Sequence, residues 1–251
     1  MCHGLRGDDT KPLQGSTKGA KSLELMAWGG GYHGQLGVKL PASKKSVNRG
    51  EVIRFPNLDE PRHLACGGSF SAVVTSSGAV YTWGMGKHGQ LGYELTAVSG
   101  QQPTPRQVTD TLGNVQVMSI ACGREHTLVL SYSGDLFAWG SNKFGQLGTG
   151  DHHNNKVPVQ LRDLKDDEGR ALKFTKIDTG DNHSAAISST NRLFTWGNGM
   201  YGQLGHGDPK IRGQEIKELR PRLVKGLDVP CKSVACGASQ ARPRRPRLRP
   251  F

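Results

Sequence analysis

The chain has 251 residues, 35% of them hydrophobic, with 35 glycines, five cysteines and a formal net charge of +12. No apolar run approaches the length of a membrane helix, and Met1 to Ala20 hold no apolar stretch of the secretory kind. Without such a signal the cysteines read as reduced thiols, not as a disulfide framework, and the expected setting is intracellular, cytoplasmic or nuclear.

Residues 1–22 are polar and rich in glycine and lysine, and are expected to be a disordered N-terminal segment. From residue 23 to 240 one unit repeats. Gly-Gln-Leu-Gly occurs four times, starting at Gly34, Gly89, Gly145 and Gly202, each time six residues after a tryptophan: Trp28, Trp83, Trp139 and Trp196. The tryptophans are 55, 56 and 57 residues apart. A second marker keeps the same beat, with Cys66-Gly67, Cys122-Gly123, Thr179-Gly180 and Cys236-Gly237 spaced by 56, 57 and 57. A fixed period of this length means a solenoid or a propeller.

Within each unit the apolar residues alternate. Ser71–Thr75 and Ala79–Trp83 flank Ser76-Ser77-Gly78, and Thr127–Leu130 and Leu136–Trp139 flank Ser133-Gly134. Ser184–Ile187 and Leu193–Trp196 likewise flank Thr190-Asn191. Each reads as a hairpin. A further apolar run precedes each marker glycine (115–120, 174–177, 231–234), and a proline-containing stretch precedes that. Proline donates no ladder hydrogen bond, so it suits an edge strand. Four short antiparallel strands per repeat make a propeller blade.

The blade text, Cys-Gly-x-x-His-(Thr/Ser), a hairpin, then Trp-Gly-x-x-x-x-Gly-Gln-Leu-Gly, closely resembles the regulator of chromosome condensation family. The resemblance covers about residues 23 to 240. It implies an all-β fold, a β-propeller or part of one, with about four repeats present of an expected seven. An incomplete propeller leaves blade edges open, and these invite pairing with another chain. In the family's nucleotide-exchange member the residues before and at the loop histidine line the face that grips a small GTPase. Carried over by position, this implies partner contacts at Ser69, Arg124, Glu125, His126, Asp181, Asn182 and His183. The alternative for His126 and His183 is that they brace the blade. Phe70 and Gln240 stand where histidine is expected. The exchange member's wedge, inserted after one Trp-Gly, has no counterpart in the four equal-length loops here. The family's photoreceptor branch relies on clustered tryptophans, whereas all four here sit in the repeat motif.

Three loops also spell Gly-x-Gly-x-x-Gly: Gly29-Gly31-Gly34, Gly84-Gly86-Gly89 and Gly197-Gly199-Gly202. No helical period follows them, so they read as turns and imply no cofactor. His152-His153 has no further ligand at metal spacing, and no nucleophile–base constellation can be assembled. No catalytic residue, metal or cofactor is assigned. The expected function is protein–protein interaction, most sharply regulation of a small GTPase, with nucleotide exchange as the one activity in view. The alternatives are a recognition module of a larger ligase or kinase, and chromatin or RNA attachment through residues 241–251. That tail carries five arginines and three prolines, and is expected to replace the strand that the repeat demands. It is either a genuine basic arm or the product of a misassigned coding frame. Its position inside a repeat element favours the second.

Overall fold

A computed structural model describes residues 2–6, 24–41, 43–55, 59–166, 168–207, 216–227 and 229–244. Among them there is no helix, and antiparallel sheets follow one another along the chain. Three sheets are complete four-stranded blades. The first holds β4 (Pro61–Cys66), β5 (Phe70–Thr75), β6 (Val80–Met85) and β7 (Gln101–Gln107) in that order. The second holds β8 (Val117–Cys122), β9 (His126–Ser131), β10 (Leu136–Gly140) and β11 (Asn155–Gln160). The third holds β12 (Phe174–Thr179), β13 (His183–Ser188), β14 (Leu193–Asn198) and β15 (Lys217–Leu223). Proline falls on the outer strand of each, at Pro103, Pro158 and Pro221, where a missing donor costs no ladder bond.

A three-stranded sheet precedes them: β1 (Cys2–Arg6), β2 (Glu24–Gly30) and β3 (Ser46–Ile53). A two-stranded one follows: β16 (Ser233–Gly237) and β17 (Gln240–Arg244). Within the segment expected to be disordered, Cys2–Arg6 forms a strand against β2, and 7–22 lie outside the described residues. At the start of the tail, Ala241 to Arg244 pair with β16. Ladder bonds are made by the backbone, so Arg242 and Arg244 are compatible with a strand although their side chains carry no apolar pattern. Residues 245–251 lie outside the described set.

The first strands of successive blades, β4, β8, β12 and β16, lie side by side, and the cores form between blades rather than within them. One cluster joins Phe70, Val74 and Val80 to Val129, Phe137 and Trp139, and the next joins Leu128, Leu136 and Leu147 to Ala186, Phe194 and Trp196. The hairpin strands β5, β9 and β13 are buried along their whole length, since a blade covers each face.

Each junction is closed by the same clasp. The backbone carbonyl of the Gly-Gln-Leu-Gly glutamine accepts two hydrogen bonds from the next blade. Gln35 takes them from Trp83 Nε1 (2.9 Å) and Ser71 Oγ (2.9 Å). Gln90 takes them from Trp139 Nε1 (2.9 Å) and Thr127 Oγ1 (2.9 Å). Gln146 takes them from Trp196 Nε1 (2.9 Å) and Ser184 Oγ (2.8 Å). The glutamine side chain holds its own loop, with Oε1 accepting from the backbone two residues earlier: 2.8 Å to His33 N and 2.9 Å to His88 N. The motif's last glycine has φ of +74° to +79° at Gly37 and Gly148, and a Cβ there would lie 2.8 Å from the next indole nitrogen. Glycine serves the turn and the seat of the tryptophan at once.

Candidate functional site: the loop face

The strand-1 to strand-2 loops, 67–69, 123–125, 180–182 and 238–239, emerge side by side on one face of the molecule. A backbone ladder runs through them from blade to blade: Gly68 N to Arg124 O (3.1 Å), Arg124 N to Asp181 O (3.0 Å) and Asp181 N to Ala238 O (3.3 Å). The Trp-Gly loops join the same face, since Met85 N donates to Ser69 O (2.9 Å), Ser141 N to Glu125 O (2.8 Å) and Asn198 N to Asn182 O (2.9 Å). The side chains on these loops are therefore carried by a backbone with little freedom to move.

Marker glycines make that approach feasible. A Cβ on Gly67 would stand 2.6 Å from Gly123 O, and one on Gly123 would stand 2.7 Å from Gly180 O. Each would also strike the ring three residues on, that of Phe70 or His126. His126 and His183 themselves are fully buried, beneath the face and not on it. Ser184 Oγ donates to Gln146 O, so it accepts from His126 Nε2 (3.0 Å), which fixes the tautomer and leaves Nδ1 as a bare acceptor. Burial, and then the charge of nearby His183, pushes His126 down to about 3. His183 is also held below its ordinary value by burial. The position that would supply its hydroxyl is Ala241, and neither ring nitrogen reaches a partner in hydrogen-bond geometry among the described residues. Phe70 fills the same ring-shaped space with no polar atom, so shape is the common requirement and the bond is optional.

Of the remaining sequence candidates, Arg124 is exposed, and Ser69, Glu125, Asp181 and Asn182 are partly buried. Ser69, Arg124 and Glu125 converge on a cleft of about 280 Å³ between the first two complete blades. Lys87 and His88, from the preceding Trp-Gly loop, complete it, with His88 Nε2 3.5 Å from Glu125 Oε1. No periodic signal points to that pair, because the contact joins residues at different positions of different repeats. Arg124 and Asp181 also border a cavity of about 240 Å³ where the four marker loops meet. Cys66, Cys122 and Cys236 line it as half-buried thiols outside any disulfide, and burial pushes Cys122 and Cys236 up. Asp178 replaces the alanine of the other first strands (Ala65, Ala121, Ala235) and accepts from Cys236 N at 2.6 Å, linking third blade to last sheet. Burial raises its carboxyl above the ordinary range. Asn182 lies in the next loop and His183 at the start of β13, and neither lines the Ser69–Glu125 cleft.

The motif tryptophans and glycines are structural. Trp83, Trp139 and Trp196 are fully buried in the clasps, while Trp28 is 37% exposed. Gly34, Gly89, Gly145 and Gly202 have φ between +77° and +85°. In the dinucleotide-like loops strands follow, not a helix, and Asn142 fills the middle-glycine position of the third copy with bonds from Nδ2 to Thr149 Oγ1 (3.1 Å) and Asp151 O (3.0 Å). Among the described residues no three metal-ligating side chains cluster, and no helix is long and apolar enough to cross a membrane.

Blades of four antiparallel strands, clasped through a tryptophan and a glutamine carbonyl at a fixed period, define a tandem-repeat β-propeller. The sequence matches the RCC1-like domain over residues 22–241, and the chain belongs to that family. It is 33% identical over 202 residues to the probable E3 ubiquitin-protein ligase HERC4 of Mus musculus, covering 80% of this chain and 17% of that protein. It is 32% identical over 211 residues to the ultraviolet-B receptor UVR8 of Arabidopsis thaliana, covering 82% of this chain and 43% of the receptor. The fold matches the crystal structure of Prp20p from Saccharomyces cerevisiae with a TM-score of 0.68 and 23% identity, over 87% of this chain and 50% of that one. The chain thus spans under half the length of these two curated relatives.

Proposed function

We propose that the loop face is a protein-recognition surface whose partner is a small GTPase. The observation that carries this reading is the exposed Arg124, with Glu125 and Asp181 beside it, on loops locked together by the blade-to-blade backbone ladder. Pre-ordered charges lose little entropy on binding and give specificity through complementarity. His126 and His183 contribute by holding the loops from beneath. Support comes from Prp20p, whose structure is described together with its binding properties to Gsp1p and histones. Any exchange activity involves no covalent chemistry: the face would bind the nucleotide-free GTPase more tightly than the loaded one and so lower the barrier to release. The reading places the chain in the cytoplasm or nucleus.

The test is capture of nucleotide-free small GTPases on the purified chain, followed by release of a fluorescent guanine nucleotide. Arg124→Glu and Asp181→Lys are each expected to weaken capture by about tenfold, which is about 1.4 kcal/mol. No capture by the unmodified chain, or capture indifferent to both changes, overturns the reading. A second reading, recognition without exchange as one module of a larger ligase, is favoured by the equal length of the four Trp-Gly loops, and binding without faster release would select it. Attachment to nucleic acid through the basic tail would show as a steep salt dependence abolished by deleting residues 241–251.

A further inference from the structure

Three junctions in this chain are clasped, and the two ends carry the two halves of a fourth. At the last blade the acceptor half stands open. Among the described residues the Gln203 carbonyl receives neither an indole nor a hydroxyl. A Cβ on Gly205 would meet only Val224, at 3.5 Å, where Gly37, Gly92 and Gly148 each lie against a tryptophan. Beside it Met200 and Tyr201 are exposed, by 41% and 63%. Among the described residues strand β17 pairs with β16 alone, so no described strand covers its outer edge. Register says what belongs there. Ser71 faces Trp83, Thr127 faces Trp139 and Ser184 faces Trp196, so a strand added to β17 brings a tryptophan opposite Ala241. At the other end Trp28 is the donor half, 37% exposed where its three counterparts are at 0%.

We propose that these halves join between two copies of this chain: β2 of one copy pairs with β17 of the other, and Trp28 Nε1 donates to the partner's Gln203 carbonyl. This surface is separate from the loop face and independent of the GTPase reading. Within one copy β1 holds that edge of β2, with Cys2 opposite Trp28, so the junction forms by exchange of β1 for the second copy's β17 in the same register. Strand addition supplies main-chain hydrogen bonds, and the indole seat sets the register. A twofold arrangement joins both halves of both copies.

The test is sedimentation equilibrium of the full chain over a range of concentration, with iodide quenching of tryptophan fluorescence. The unmodified chain is expected to dimerise, and its quenchable fraction to fall as it does so, because Trp28 becomes covered. Trp28→Ser removes the donor half and Gly205→Val fills the acceptor half, and each should weaken association by about tenfold or more. An equimolar mixture of the two variants retains one intact junction, Trp28 of the second on Gly205 of the first, and should recover mixed dimers. Circular dichroism of each variant shows that it is folded. A chain that is monomeric at every concentration overturns the proposal, as does a dimer unaffected by both variants or not restored by mixing them.

Discussion

His126 and His183 combine full burial with a titratable ring, and that makes the fold sensitive to acid. Both are bases held below their ordinary value of 6.5, His126 at about 3, so the folded chain keeps them neutral. The unfolded chain takes up protons below 6.5 that the folded chain refuses. Their contribution is therefore complete above pH 6.5 and is lost as pH falls towards the folded values, at about 1.4 kcal/mol per pH unit for His126, with His183 adding in the same direction. Urea midpoints measured between neutral pH and pH 4 should decline accordingly. In His126→Gln the slope should drop by the share of one histidine, whatever that variant does to stability at neutral pH. An unchanged slope would mean that the ring is protonated in the folded chain. The Phe70 loop carries no such liability, because its ring fills the same place without a proton to refuse.

At the scale of the element, the clasp explains why tryptophan and glutamine recur together. The Gln90 carbonyl is buried between blades and has two donors, Thr127 Oγ1 and Trp139 Nε1. Removing one leaves the other in place, whereas removing both strands a buried acceptor, which costs about 1–3 kcal/mol. Thr127→Val and Trp139→Phe should therefore be more destabilising together than the sum of the two alone, by about 1 kcal/mol in a urea-unfolding cycle. Additive effects would argue that the carbonyl has another donor. The strands themselves were legible in the sequence, because each is a short β-branched or aromatic run bounded by a turn signal and recurs at one period, so that three weak hairpin signals reinforce each other. The loops of Arg124 and Asp181 were legible for the same reason. The clasp was not, since its acceptor is a backbone atom and carries no sequence signature. Nor was the Lys87–His88 side of the cleft, which depends on how far one repeat is offset from the next. Strand β17 was hidden by composition: arginine and proline conceal a segment whose backbone alone makes the pairing.

For the molecule as a whole, cores that lie between blades make stability a property of neighbours. In such an array each unit contributes its own term and the terms of its junctions, and an end unit has one junction fewer. The blade of β8–β11 is covered on both sides, and β9 and β10 are buried at every residue. Strand β2 alternates between buried and exposed positions, and β16 has none that is fully buried. Amide exchange under native conditions should therefore be slowest in β9 and β10, intermediate in β5 and β13, and fastest in β2, β16 and β17, since local opening costs least where fewest contacts break. Uniform protection would show instead that the chain opens only as one unit. The gradient also reports on the ends. If a second copy completes the fourth clasp, raising the protein concentration should slow exchange in β2 and β17 and leave β9 unchanged, because mass action stabilises only what the added junction covers.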